Sequence, residues 1–299
     1  MLLKLERDAY GAYARHSAIA DYVELVVLKR GELREVDLAR SLEKDGIDLG
    51  PSVFERPVPG EDDSDEYRRT ARRVFALFEE RSRVLGRRYP LRLSNGGLQR
   101  GRKQRDGLYL TLLAMTVAHA HKIPVPQDTE KMFERLVARC IRRNKARAAT
   151  MGTSKGGAFA TRLDTACAEV GLLAVPDGAI VSRAAQDENV DTLVHFDLGD
   201  NRSGRWTAIG QATIGSSETW ARKIMEPSPH TWKRLIGEWL APAVFLAVPH
   251  HVERVYWDKM LQDHRRLLMD RLRLAVSGVA PSTEELQIAS AVKACKIEW

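Results

Sequence analysis

The sequence predicts an α/β protein in which a helical first half precedes a mixed sheet flanked by helices. Amphipathic runs of helical period fill most of the first 150 residues, and alternating apolar runs joined by Gly- and Asp-containing turns follow them. At 299 residues the chain exceeds one typical domain. We therefore expect two units, a basic N-terminal helical domain over residues 1–150 and an α/β domain with C-terminal helices over residues 151–299.

Helical patterns recur through the first half. Two short apolar-periodic runs flank a turn at Gly31, which is compatible with a helix-turn-helix that reads DNA or with a plain packing pair. Residues 67–78 carry apolar side chains on one helical face, and that pattern stops near Gly86. Residues 107–121 predict a buried helix, and residues 129–147 predict an amphipathic helix with arginines on its outer face.

Strand patterns begin after about residue 152. The apolar runs 190–196 and 206–212 surround the turn LGDNRSG and predict an antiparallel hairpin. The segment APAVFLAV predicts a short buried strand, and residues 250–278 predict helix throughout. The order of helix, hairpin, helix, strand and helix indicates a mixed sheet flanked by helices over residues 155–250.

The formal net charge of +7 is concentrated in the first half, which holds 30 Lys and Arg against 22 Asp and Glu. The segment 81–105 contains nine basic residues and no acidic one. It predicts a nucleic-acid surface together with the arginines of the 129–147 helix, and the alternative is a solvated face. The candidate contacts are Arg100, Arg102, Lys103, Arg105, Arg135, Arg139 and Arg142.

Several functional classes have no support in the sequence. No apolar stretch is long enough to span a bilayer, and the three cysteines are too far apart for a disulfide framework or a zinc pair. The patterns GxxxxGK[ST], GxSxG and HExxH are absent. We expect a cytoplasmic protein without a membrane partner and without ATP hydrolysis of its own.

The hairpin resembles that of the PD-(D/E)xK, restriction-endonuclease-like nucleases. In that family acidic residues on two adjoining strands hold a divalent cation, and a lysine two residues after the second one polarises the attacking water. Here Asp191 opens the first strand and Gln211 stands in the second. The resemblance covers residues from about 155 to 250. It implies a restriction-endonuclease-like core and a Mg²⁺ (or Mn²⁺) site at Asp191 and Gln211.

The sequence departs from the family pattern at two of the three functional positions. Gln211, Ala212 and Thr213 stand where the family has (D/E)xK. An amide oxygen can still bind a cation, but the Thr213 hydroxyl cannot replace the charge of a lysine. The resemblance therefore implies that Lys223, on the following helix, assists the attacking water. The alternative is that Lys223 is a surface residue.

Other side chains of the second half have suitable chemistry for metal binding or proton transfer, but each also has a simpler structural interpretation. The carboxylates are compatible with solvent exposure, and the two histidines with capping or packing. These residues are Asp164, Glu169, Asp187, Glu188, His250 and His251.

A second resemblance, carried by residues 244–274 with the hairpin and the Trp220 to Lys223 spacing, is to nuclease-like proteins of bacterial anti-phage defence. It implies DNA, in preference to RNA, as the nucleic-acid partner, and other defence-system subunits as protein partners. The implied activity is that of a Mg²⁺-dependent endonuclease. Two alternatives are a catalytically degenerate subunit that binds nucleic acid or a partner protein, and an adaptor that binds only proteins.

Overall fold

The computed structural model describes residues 1–6, 8–47, 66–94, 96–101, 107–126, 128–143, 146–151, 158–175, 189–200, 202 and 204–298. Within these ranges no helix is both long and apolar enough to cross a bilayer. The helices there are α1 Arg15–Arg30, α2 Glu35–Lys44, α3 Glu66–Leu85, α4 Leu108–Ala120, α5 Thr129–Arg143, α6 Phe159–Val170, α7 Trp220–Met225, α8 Pro229–Leu235, α9 Arg254–His264, α10 Arg271–Val276 and α11 Thr283–Ala294.

The strands form three sheets within the described residues. A five-stranded mixed sheet has the order β5-β6-β7-β8-β9, a three-stranded sheet has the order β2-β4-β3, and β1 pairs with β10. Their bounds are β1 Leu2–Leu3, β2 Glu32–Arg34, β3 Leu91–Ser94, β4 Gly97–Arg100, β5 Arg147–Thr150, β6 Thr192–Phe196, β7 Trp206–Ala212, β8 Ala243–Ala247, β9 Leu267–Met269 and β10 Lys296–Ile297.

The five-stranded sheet is antiparallel from β5 to β7 and parallel from β7 to β9. Side chains alternate across it because the period of a strand is two residues. Leu193 and Ile209 pack with α6 and α8 on one face, whereas Val194 and Ala208 join the larger core on the other. The predicted hairpin and the mixed sheet flanked by helices are both confirmed.

Two parts of the secondary structure differ from the sequence-based expectation. The first half is not purely helical, since it contributes the small sheet β2-β4-β3 and the edge strand β5. The C-terminal helix is interrupted, because Arg265 takes a left-handed conformation (φ 52°) and residues 267–269 pair with β8. Three apolar residues in a row are compatible with a strand or with a helix. Residues 267–269 form a strand because β8 has a free edge with which they pair.

The largest hydrophobic core contains residues from both sides of position 150, including Phe78, Phe133, Val194 and Phe245. The apolar faces of α3 and α5, which the sequence predicts, contribute to it together with α1, α4 and one face of the sheet. The first half therefore packs directly on the sheet of the second. The division into domains at residue 150 stays a prediction.

A buried ion network, comprising Asp21, Glu24, Arg81 and Arg271, joins α1, α3 and α10. Arg271 donates two hydrogen bonds to the Asp21 carboxylate, both at 2.6 Å. Arg81 lies 2.9 Å from Asp21 and 2.8 Å from Glu24, and Tyr109 donates to Glu24 at 2.8 Å. Burial alone would raise the pKa of Asp21, but Arg271 and then Arg81 outweigh it and lower that pKa. The network therefore buries balanced charges.

Candidate functional site

Asp191 lies immediately before β6 and is held by the backbone on both sides. Its N–H donates to the Gly210 carbonyl at 2.9 Å, and its carbonyl accepts from the Met151 N–H at 2.7 Å. The carboxylate Oδ2 accepts a hydrogen bond from the Ala212 N–H at 2.8 Å. Asp191 thus contacts the residues that flank Gln211 in β7. The hairpin therefore brings Asp191 against the backbone on both sides of Gln211, at one end of the sheet.

The amide of Gln211 is buried and only half satisfied. The side chain is 6% exposed, and Nε2 donates to the Glu226 Oε2 at 2.7 Å. Since a carboxylate only accepts hydrogen bonds, Glu226 fixes which end of the amide faces it. The remaining oxygen, Oε1, is buried and has no hydrogen-bond partner among the described residues. A neutral acceptor in that state costs free energy unless a ligand satisfies it.

Glu226 is a member of this site that the sequence did not reveal. It follows the last residue of α7, and its carboxylate pairs with Arg222 one turn earlier while accepting from Gln211. The spacing of Arg222 and Glu226 indicates only a surface ion pair. The contact with Gln211 depends on how α7 packs against β7, so sequence alone carries no signal for it.

Lys223 belongs to the same short helix, whose buried residues Trp220 and Ile224 anchor it. The Lys223 side chain is half-buried and makes no ion pair or hydrogen bond within the described parts of the chain. It is therefore a cation on the helix that holds Glu226 against Gln211. Its role in the reaction stays a prediction.

The other candidates of the second half are exposed, lie outside the described residues or make a structural contact. Asp164 and Glu169 are exposed on α6, and Asp187 and Glu188 lie outside the described residues. Thr213 accepts a hydrogen bond from the Gly215 N–H at 3.1 Å and so supports the turn after β7.

The two adjacent histidines are buried and pack in the core. His250 contacts Tyr10 and Trp220, with ring centroids 4.9 and 5.2 Å away. Burial, and then the charge of Arg271, lower the pKa of His250 to about 3, so it is neutral near pH 7. His251 Nδ1 accepts from Arg81 at 3.2 Å. His250 thus packs against aromatic rings, whereas His251 is held by polar contacts, since its Nε2 also lies 3.4 Å from the Glu80 carboxylate.

The basic residues proposed as DNA contacts have different surroundings. Arg100 and Arg135 are exposed, whereas Arg102, Lys103 and Arg105 lie outside the described residues. Arg139 pairs with Glu285 at 2.6 Å, and Arg142 donates to the Ala148 carbonyl at 2.7 Å, so both make contacts inside the protein. Arg81, the first residue of the basic segment, belongs to the buried ion network. The expectation that this segment is entirely a surface is wrong at that residue.

A hard divalent cation fits the donor chemistry at Asp191 and Gln211. Mg²⁺ prefers oxygen ligands and usually keeps several waters, with one or two protein carboxylates and the substrate phosphate completing its shell. The Asp191 carboxylate and the Gln211 amide oxygen, which lacks a partner among the described residues, are ligands of the type that such a shell uses. Among the described residues, no group of three or more His, Cys, Asp or Glu side chains is arranged to hold a metal.

No protein-family model matches the chain, and no curated protein matches it. Among solved structures, the chain is similar to the MspJI restriction endonuclease in complex with a 27-mer oligonucleotide, at 15% sequence identity and a TM-score of 0.31. The likeness covers 69% of this chain and 41% of that one, so the chain spans less than half the length of that enzyme. A TM-score of 0.31 is too low to identify a shared fold.

Proposed function

We propose that the protein is a Mg²⁺- or Mn²⁺-dependent nuclease that acts on DNA. The observation that carries the proposal is the buried Oε1 of Gln211, which has no hydrogen-bond partner in the described structure and lies in β7 between two residues bonded to Asp191. Asp191 and Gln211 would hold the cation. When bound, such a cation lowers the pKa of a water nucleophile and offsets charge on a phosphate.

Two further residues, Glu226 and Lys223, have separate roles in this proposal. Glu226 orients the Gln211 amide so that its oxygen, not its NH₂ group, faces away from the carboxylate. Lys223 would stabilise the negative charge that develops on the scissile phosphate, which a nearby ammonium group can do in a water-poor site. A role beside other subunits in anti-phage defence stays a prediction from the sequence resemblance.

The second candidate is a catalytically degenerate subunit that binds nucleic acid or a partner protein. It is favoured by Thr213, whose hydroxyl stands at the position of the family's lysine and is used in a turn. In that case the Gln211 amide would be a remnant of a metal site, and the chain would bind DNA without cleaving it.

The test is cleavage of plasmid, linear duplex and single-stranded DNA by the purified full chain, with Mg²⁺ or Mn²⁺ and with EDTA. Asp191→Asn keeps the shape and an oxygen acceptor for the Ala212 N–H but removes the charge. We expect it to reduce cleavage at least about 10³-fold, since an uncharged ligand binds the cation far less well. Asp258→Asn, an exposed carboxylate on α9, is the matched control and should cleave like the parent.

Two results would reject this assignment. Full activity in Asp191→Asn would remove Asp191 from the site. Absence of cleavage by the parent with every substrate and metal would leave the degenerate subunit as the better reading.

A further inference from the structure

Residues 15–100 follow the order helix, strand, helix, helix, strand, strand. α1 leads through Gly31 into β2, then α2 and α3 follow, and the hairpin β3–β4 ends the unit. β4 lies between β2 and β3 and is antiparallel to both. This is the connectivity of a winged-helix unit, in which α2 and α3 form the helix pair and β3–β4 the wing. The helix pair is thus not the one around Gly31 that the sequence suggests.

α3 has one face in the core and one face open to solvent. In a helix-turn-helix pair the second helix is the one that enters the major groove of DNA, with contacts from its N-terminal residues. The buried face includes Ala71, Val74 and Phe75. The exposed positions are Arg68, Arg72, Ala76, Glu79, Arg83 and Val84. The N-terminal half of α3 therefore exposes two arginines one turn apart, Arg68 and Arg72.

The exposed positions of α3 carry three arginines and one carboxylate, Glu79, and the acidic run EDDSDE at residues 61–66 leads into the helix. Arg72 lies 3.8 Å from Glu35, and the two side chains are 71% and 39% exposed. Exposed pairs of this kind contribute little to stability, so a phosphate can replace the carboxylate at little cost. On the wing, Arg92 and Arg100 are both exposed. Leu91 pairs with Arg100 and Arg92 pairs with Gln99, so these two arginines lie on opposite faces of the hairpin, and at most one of them extends the surface of α3.

We propose that α3 and the β3–β4 hairpin form a docking surface for duplex DNA, with Arg68 and Arg72 on backbone phosphates. A helix about 10–12 Å across fits a major groove about 12 Å wide. The exposed positions of α3 carry no aromatic side chain, whereas surfaces for single strands stack bases on aromatic rings. The inference deepens the proposed function by naming the form of DNA, and it rests on that function for the choice of DNA over other polyanions.

The same helix is fixed at its other end. Arg81, nine residues after Arg72, is locked in the buried ion network with Asp21 and Glu24. Duplex DNA docked on the first half of α3 would therefore be held by a helix that cannot turn independently of the core.

The experiment measures binding of the full chain to a short fluorescent duplex in EDTA, so that cleavage plays no part, over a series of salt concentrations. Arg68→Ala with Arg72→Ala should weaken binding on the order of tenfold and lower the slope of log K against log salt by about two. The control is Arg254→Ala with Lys259→Ala, two exposed cations that also lie in one-turn ion pairs, on α9. This control should bind like the parent.

The outcomes separate this inference from the proposed function. If the parent cleaves DNA but the α3 variant keeps the parent's affinity and slope, or if the parent prefers single strands or RNA, the docking surface is wrong and the nuclease stands. If duplex binding depends on α3 while no metal supports cleavage, the nuclease is wrong and the docking surface stands. An equal loss in the α9 control would also overturn the docking surface.

Discussion

Polar groups are buried in two regions of this molecule, the ion network between α1, α3 and α10 and the end of β7. In the network, Asp21 has two hydrogen bonds from Arg271 at 2.6 Å each, and Glu24 has Arg81 and Tyr109 as partners. At the end of β7, the Gln211 amide gives its NH₂ group to Glu226 but leaves Oε1 without a partner in the described structure. In the network, Arg81 Nη1 and Nη2 have ion-pair partners although they make no hydrogen bond of good geometry. The Gln211 oxygen is a neutral acceptor that a ligand would satisfy.

The largest expected effect is on the network. Arg271→Met would leave one guanidinium, that of Arg81, between the carboxylates of Asp21 and Glu24, and an uncompensated buried charge costs about 3–5 kcal/mol. Urea unfolding should show that loss of stability. Arg254→Met, an exposed arginine on α9, is the control and should change stability by under about 1 kcal/mol. A loss below about 1 kcal/mol in Arg271→Met would mean that Arg271 is not needed to compensate the buried carboxylates.

A smaller effect is expected from pH, because His250 is neutral beside the network. Burial, Arg271 and His119 lower its pKa to about 3, against the opposing influence of Asp21, whereas an unfolded histidine has a pKa of about 6.5. The unfolded state therefore binds more protons between these values. Stability is fully present above pH 6.5 and falls as the pH decreases towards 3.

The measurement is urea unfolding at pH 7 and pH 5 for the parent and for His250→Gln. Between these values the parent should lose about 2 kcal/mol more than the variant, from the difference between the folded and unfolded pKa of one group. Equal losses would show that His250 is protonated in the folded protein as readily as in the unfolded one.

The strongest periodic patterns were sufficient to predict much of the fold. The apolar faces of α3 and α5 and the hairpin β6–β7 were foreseeable because each pattern is local and long enough to exclude the alternatives. The strand β9 was not, since three apolar residues fit a helix or a strand until β8 offers an open edge. The strands of the small sheet are equally short, and their pairing is set by tertiary contacts.

Some contacts of the candidate site could likewise be predicted from local sequence patterns, and others could not. The contact between Asp191 and the backbone around Gln211 follows from hairpin pairing, which the sequence predicts. The contact of Gln211 with Glu226 depends on the packing of a six-residue helix, α7, and the burial of Arg81 depends on carboxylates about 60 residues earlier in the chain. Partners that are distant in sequence leave no periodic signal.

The smallest expected change in stability is at Gln211, and it distinguishes the two regions most directly. Gln211→Met has nearly the same volume but removes the buried oxygen that lacks a partner, so the cost of leaving it unsatisfied disappears. Glu226 loses its amide donor but keeps Arg222. These opposing contributions should leave the unfolding free energy within about 1 kcal/mol of the parent, far from the loss expected for Arg271→Met.

The Gln211→Met variant should also lose any rise in melting temperature that Mn²⁺ gives the parent, since a ligand that binds only the folded state stabilises it by mass action. Gln262→Met, at an exposed position on α9, is the control and should respond to Mn²⁺ as the parent does. If Gln211→Met keeps the full Mn²⁺ response, the buried oxygen is not a cation ligand, and if it loses several kcal/mol without metal, the amide is a structural group like those of the network.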